Sequence, residues 1–159
     1  MKKLNHVSIA VESVDEALKF YRDLLGLEVE RTVVLEDRQL KVAFVKIGET
    51  ELELIEPLNE DNTVRRYIDR WGPGLHHICI EVDDVAGTMA TLKARGAEFT
   101  DTEPRPGAVG QVAFIHPSSS GGVLVEINQL DAPAAVPVVA PTPEPTIRPS
   151  DLPSTGGVA

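Results

Sequence analysis

A single cysteine, Cys79, stands in 159 residues, so no intrachain disulfide can form and a reducing, cytosolic setting is expected. Positive charge is also scarce: 15 Lys and Arg face 25 Asp and Glu, a net charge of -10. With no basic stripe to release phosphate counterions, nucleic acid and anionic membrane are excluded as general partners. No apolar run is long enough to span a bilayer. Met1-Lys2-Lys3 has the charge of a secretory leader, but LNHVSIAVESVDE then alternates and turns acidic, so cytoplasmic residence is the expectation. Aromatic residues make up only 4% of the chain, and none lies beyond Phe114.

Seven of the twelve prolines fall between Asp131 and Ala159, in a stretch with no helical or strand period. Residues 131–159 are therefore expected to be a disordered Pro/Ala-rich tail, leaving residues 1–130 as one domain. Leu152-Pro153-Ser154-Thr155-Gly156 resembles a sortase signal, but such signals continue into an apolar span and a basic end, whereas Gly157-Val158-Ala159 follow here.

What the chain does contain is a repeat. LNHVSIAVESV and LHHICIEVDDV match at an offset of 71, placing Leu4 with Leu75, His6 with His77, Ile9 with Ile80 and Val11 with Val82. Val42-Ala43-Phe44-Val45 then matches Val112-Ala113-Phe114-Ile115, and Leu52-Glu53-Leu54 matches Val125-Glu126-Ile127. Two copies of one unit make the domain, over about residues 3–58 and 74–129.

Each copy reads strand, helix, strand, strand, strand. Val7, Ile9 and Val11 alternate with His6, Ser8 and Ala10, as in a half-buried strand. Ser13 with Glu16 forms a capping box, Val14, Ala17, Leu18, Tyr21 and Leu25 make a helical stripe, and Gly26 ends it. A tight turn is predicted near Gly48-Glu49, with a longer counterpart at 118–122. Between the copies Asn62 caps a linker helix over 62–71 that stops at Gly72-Pro73. The expected fold is α+β: two tandem βαβββ modules pairing into one cupped mixed sheet.

Strand parity gives His77 the place of His6, on the face away from the helix, and sends His76 toward the helix side or the rim. Glu53 and Glu126 are the second matched polar pair. On the concave side of a cup, two imidazoles and two carboxylates would converge near the internal twofold axis and make a metal site. Neutral imidazole with carboxylate suits Co, Ni, Mn, Zn or Fe and leaves coordination positions open for substrate. Cys79 reads as a buried, inert thiol and His116 as a rim residue. Arg65, Arg66 and Arg70 could touch substrate phosphates, but on a short surface helix they read first as solvated.

These features carry a resemblance. The paired modules, with His6, Glu53, His77 and Glu126 on their first and last strands, resemble the vicinal oxygen chelate superfamily. GLHHICIEV and VAFIHP are similar to its methylmalonyl-CoA epimerase family over residues 3–129. The resemblance implies a divalent metal (Co, Mn, Ni or Zn) on His6, Glu53, His77 and Glu126 and an acyl-CoA substrate; an isolated pair of small modules often dimerises, so a homodimer is expected. It implies epimerisation at carbon 2 through a metal-stabilised enolate, with Glu126 and Glu53 as the proton carriers. Some relatives carry an additional interior glutamate and a glutamine ligand where this chain has Val42 and Glu53, which leaves the second base open. Glyoxalase I, acting on a glutathione hemithioacetal, and a metal-free ligand-binding protein of the same fold are the alternative readings.

Overall fold

The computed structural model describes residues 1–130; the tail and its sortase-like stretch lie outside the described residues. Eight strands form one curled mixed sheet in the order β2-β3-β4-β1-β5-β8-β7-β6. They are β1 Leu4–Ala10, β2 Val29–Leu35, β3 Leu40–Ile47, β4 Thr50–Pro57, β5 Gly74–Glu81, β6 Arg105–Pro106, β7 Gln111–Ile115 and β8 Leu124–Gln129. The two repeats join through antiparallel β1 and β5.

The repeat survives in the hydrogen-bond ladders. Glu53 lies between Ser8 of β1 and Phe44 of β3, and Glu126 between Cys79 of β5 and Phe114 of β7. Each of these flanking residues occupies the same repeat position as its counterpart, so the two glutamates are related by an internal twofold.

Alternation along β3 splits the core between the faces of the sheet. Ala43 and Val45 join Val14, Leu18 and Leu54 on the convex side beneath α1 (Val14–Leu18), while Val42 and Phe44 join Ile55, Val64 and Ile68 on the concave side. Val64 and Ile68 belong to α2, Thr63–Trp71, capped by Asn62 and stopped at Gly72. Helix α3, Val85–Ala94, covers the second module through Val85 and Met89, packed on Ala113 and Ile127. Gly48, with φ +59°, makes the two-residue turn from Ile47 to Thr50, a conformation that favours glycine.

Three local expectations are corrected. Ser13 caps α1 by accepting from the Glu16 amide, but the Glu16 carboxylate turns to Lys19 at 2.7 Å, so the capping box is half made. The helix continues as a π-helix over Lys19–Leu24, with Leu25 N–H bonding to the Phe20 carbonyl. The wider turns rotate the stripe: Leu25 is 53% exposed, and Leu27 packs against the core instead. In the second module the strand after the helix shrinks to the two-residue β6 and an isolated bridge from Phe99 to Ile115. Pro104 and Pro106 remove two amide donors from that stretch, which only a broken sheet edge tolerates.

Candidate metal centre and active site

His6, Glu53, His77 and Glu126 meet on the concave face, each between 5% and 8% exposed. The His6 and His77 Nε2 atoms are 3.3 Å apart. Glu53 Oε2 lies 3.5 Å from His6 Nε2 and 3.8 Å from His77 Nε2, and Glu126 Oε2 lies 3.2 Å from His77 Nε2. His6, Glu53 and His77 each offer a ligand atom within 4.8 Å of the others, as do His6, Cys79 and Glu126.

Proton bookkeeping decides what such a cluster can hold. Asn5 Nδ2 donates to Glu81 at 3.4 Å, so its Oδ1, 2.9 Å from His6 Nδ1, is an acceptor. His6 therefore carries its hydrogen on Nδ1 and points the Nε2 lone pair inward. Burial pulls the His6 pKa below the ordinary imidazole value, ahead of the opposing pull of Glu53 and Glu126. For Glu126 burial works upward, but the adjoining imidazoles of His77 and His6, with the Cys79 thiol, outweigh it and hold the carboxyl below its usual range. Neutral imidazole and ionised carboxylate at one point are electron-pair donors facing one another, and the donor set fits a borderline divalent cation.

Cys79 is fully buried and donates its S–H to Glu126 Oε1 at 3.4 Å. Burial drives its pKa far upward, with the Glu126 charge adding to the shift, so it orients Glu126 as a thiol.

His76 departs from simple parity. It reaches the rim, its ring 4.9 Å from that of Tyr67 on α2, yet its Nδ1 is 2.8 Å from His77 Nδ1. A bulge in β5 at His76 breaks the alternation that would have turned it away. Burial, then the neighbouring His77, lowers its pKa to about 4. The unfolded chain binds this proton near pH 6.5, so in the metal-free protein His76 contributes stability above that value and loses it as pH falls toward 4. The loss is roughly 3 kcal/mol. Urea midpoints between pH 7.5 and 4.5 should show this fall, and His76→Asn should remove most of it.

The four residues sit in a cavity of about 920 Å³ whose apolar wall includes Val42, Phe44, Ile55, Val112 and Phe114. None of the three linker-helix arginines lines it. Arg65 is bound to Glu12 and Asp69, Arg66 to the Asp61 carbonyl, and Arg70 lies over the Trp71 ring. The cavity's cations are Lys3, Arg31, Arg38, Lys46 and Arg105. Sequence reading missed them because they come from loops and strand ends of both modules and share no local motif. Arg31 stacks on Phe44 at 3.7 Å and pairs with Glu30 and Glu51, while Arg105 lies 5.0 Å over Phe114. Arg38 donates to the Pro106 carbonyl, linking the two modules. His116 lies outside the cavity and caps a short 3-10 turn through Ser118.

A family profile described as the Glyoxalase/Bleomycin resistance protein/Dioxygenase superfamily matches residues 5–114. The mitochondrial methylmalonyl-CoA epimerase of Mus musculus is 40% identical over 129 residues, which are 80% of this chain and 72% of that protein. The ethylmalonyl-CoA/methylmalonyl-CoA epimerase of Cereibacter sphaeroides is 38% identical over 132 residues, 80% of this chain and 98% of its own. The chain belongs to this superfamily, in its methylmalonyl-CoA epimerase branch. A solved Streptomyces coelicolor methylmalonyl-CoA epimerase variant, in complex with 2-nitronate-propionyl-CoA, overlays on this member of the branch with a TM-score of 0.78. Identity there is 33%, covering 83% of this chain and 99% of the other. Lactoylglutathione lyases are more distant, the probable enzyme of Vibrio parahaemolyticus being 27% identical. The chain is an enzyme of the epimerase branch, and no helix among its described residues is long and apolar enough to cross a membrane.

Proposed function

We propose that the protein epimerises methylmalonyl-CoA at carbon 2 by removing and returning one proton, with His6, Glu53, His77 and Glu126 holding a divalent metal. The observation that carries this reading is the buried set of converging electron-pair donors, placed against a cavity large enough for an acyl thioester. A metal there would supply Lewis acidity at the thioester oxygen, easing the negative charge that builds as the proton leaves. The protein's own groups do the rest. Glu126 is held ionised and so is ready to accept a proton, and Glu53, its twofold counterpart, stands on the other side of the axis to serve the opposite face. The apolar wall excludes water that would solvate and weaken these carboxylates. Lys3, Arg31, Arg38, Lys46 and Arg105 offer positive charge to the anionic parts of the coenzyme.

Cytoplasmic residence and a homodimer complete the proposal. Phe20, Leu24 and Leu25 on the π-helical turns are more than half exposed and form an apolar surface that a second copy would cover. The discriminating experiment presents the metal-loaded protein separately with a single epimer of methylmalonyl-CoA and with the hemithioacetal of glutathione and methylglyoxal. Conversion of the first alone is expected; turnover of the second alone would replace this reading with the lyase.

A further inference from the structure

The strand pair at the module junction contains two irregularities, and the internal symmetry relates them. The β1/β5 ladder steps from Leu4↔Ile80 to His6↔Cys79, which leaves Asn5 extra on β1. It then steps from Ser8↔His77 to Ile9↔Leu75, which leaves His76 extra on β5. Asn5 and His76 are the same position of the repeat, 71 residues apart. A bulge re-aims a side chain out of strict alternation. Here each bulge residue uses that freedom to reach Nδ1 of the histidine that follows it, at 2.9 Å for Asn5 Oδ1 and 2.8 Å for His76 Nδ1.

We propose that Asn5 and His76 are a matched pair of positioning residues, each accepting the Nδ1 hydrogen of the next histidine so that His6 and His77 turn their Nε2 lone pairs inward. This rests on the reading of His6 and His77 as metal ligands. The need is chemical. A neutral imidazole left alone favours the hydrogen on Nε2, the atom that must bind the cation, and an acceptor fixed at Nδ1 reverses that preference before any metal arrives. Both acceptors are themselves held. Asn5 is oriented by its bond to Glu81, and the His76 ring stands edge-on to Tyr67, whose hydroxyl is tied to the Leu75 carbonyl at 2.6 Å. One task is thus done by an amide in the first module and an imidazole in the second, so each side chain is the natural replacement for the other.

The test uses nitrogen-15 NMR of the imidazoles in the metal-free full-length protein, alongside cobalt(II) titration followed by its visible absorption. In the wild type both His6 and His77 should carry Nδ1–H. In His76→Val, His77 should shift toward Nε2–H while His6 stays unchanged, and cobalt affinity should fall about 10- to 100-fold. His76→Asn, which imports the group used by the first module, should restore the Nδ1–H form and bring affinity within about threefold of wild type. Asn5→Val and Asn5→His should act the same way on His6, and they carry the test if His76→Val does not fold. Persistence of Nδ1–H on His77 in His76→Val would overturn the proposal, as would equal failure of the valine and asparagine variants. If the tautomers respond as expected but cobalt binds the wild type no better than His6→Ala, the positioning stands and the metal reading falls.

Discussion

His6→Ala and His77→Ala each lower divalent-metal affinity by at least about 100-fold, beyond the 10- to 100-fold typical of losing an outer-shell partner. Each imidazole is buried, with its Nε2 within 4 Å of a carboxylate on the neighbouring strand of its own module. Removing one leaves two carboxylates and one nitrogen, a set that no longer favours a borderline cation over the alkaline-earth ions in solution. His76→Ala should lose less, because it removes an orienting contact and leaves both Nε2 atoms in place. Metal content after dialysis at fixed free cobalt, with circular dichroism on the same samples, ranks the three variants. Equal loss in all three would show that the effect comes from disturbing the β1/β5 junction and not from ligation.

Glu126→Gln and Glu53→Gln should separate the two faces of the reaction. Glutamine keeps one coordinating oxygen and nearly the same shape but cannot take a proton. Each variant should therefore retain most of its metal and lose hydrogen exchange from one epimer by about 10²- to 10⁴-fold while sparing the other. The preferences should be opposite, since the internal twofold relates Glu53 to Glu126. Full epimerisation by Glu53→Gln would leave Glu53 as a ligand only and assign the second face to another acid. Val42 then becomes the informative position. It lines the cavity beside Phe44 and Ile55 and is 1% exposed, so a carboxyl introduced by Val42→Glu would enter an apolar wall with its pKa raised, poised to exchange a proton near neutrality. Metal content on the same samples separates loss of a base from loss of the ion.

The two-module cupped sheet and the convergence of the two His/Glu pairs were legible because they depend on what sequence records directly, the period of alternation and the register of a repeat. His6 and His77 keep one offset, and Glu53 and Glu126 keep the same ladder neighbours. The features that escaped depend on departures from regular geometry. Parity turned His76 away, and a one-residue bulge brought it back onto His77. A 3.6-residue period assigned Leu25 to the core, and the π-helical turns carried it into solvent. Proline in the second module cut a seven-residue strand to two. The cations around the cavity were hidden for another reason: Arg31, Arg38 and Arg105 gain their position from the curl of the whole sheet, which no local window contains, whereas of the linker-helix arginines Arg65 is engaged by carboxylates, Arg66 by a carbonyl and Arg70 by the Trp71 ring.

The most direct measurement follows replacement of the carbon-2 hydrogen of methylmalonyl-CoA by deuterium in D₂O, using proton NMR. It is made on chelator-treated protein and then with cobalt restored in steps. Exchange should be near the uncatalysed rate after chelation, rise in proportion to bound cobalt and level off at one ion per chain, while His6→Ala stays at the baseline throughout. Full exchange by the chelated protein, or none by protein carrying one ion per chain, would contradict a metal-assisted proton transfer at His6, Glu53, His77 and Glu126.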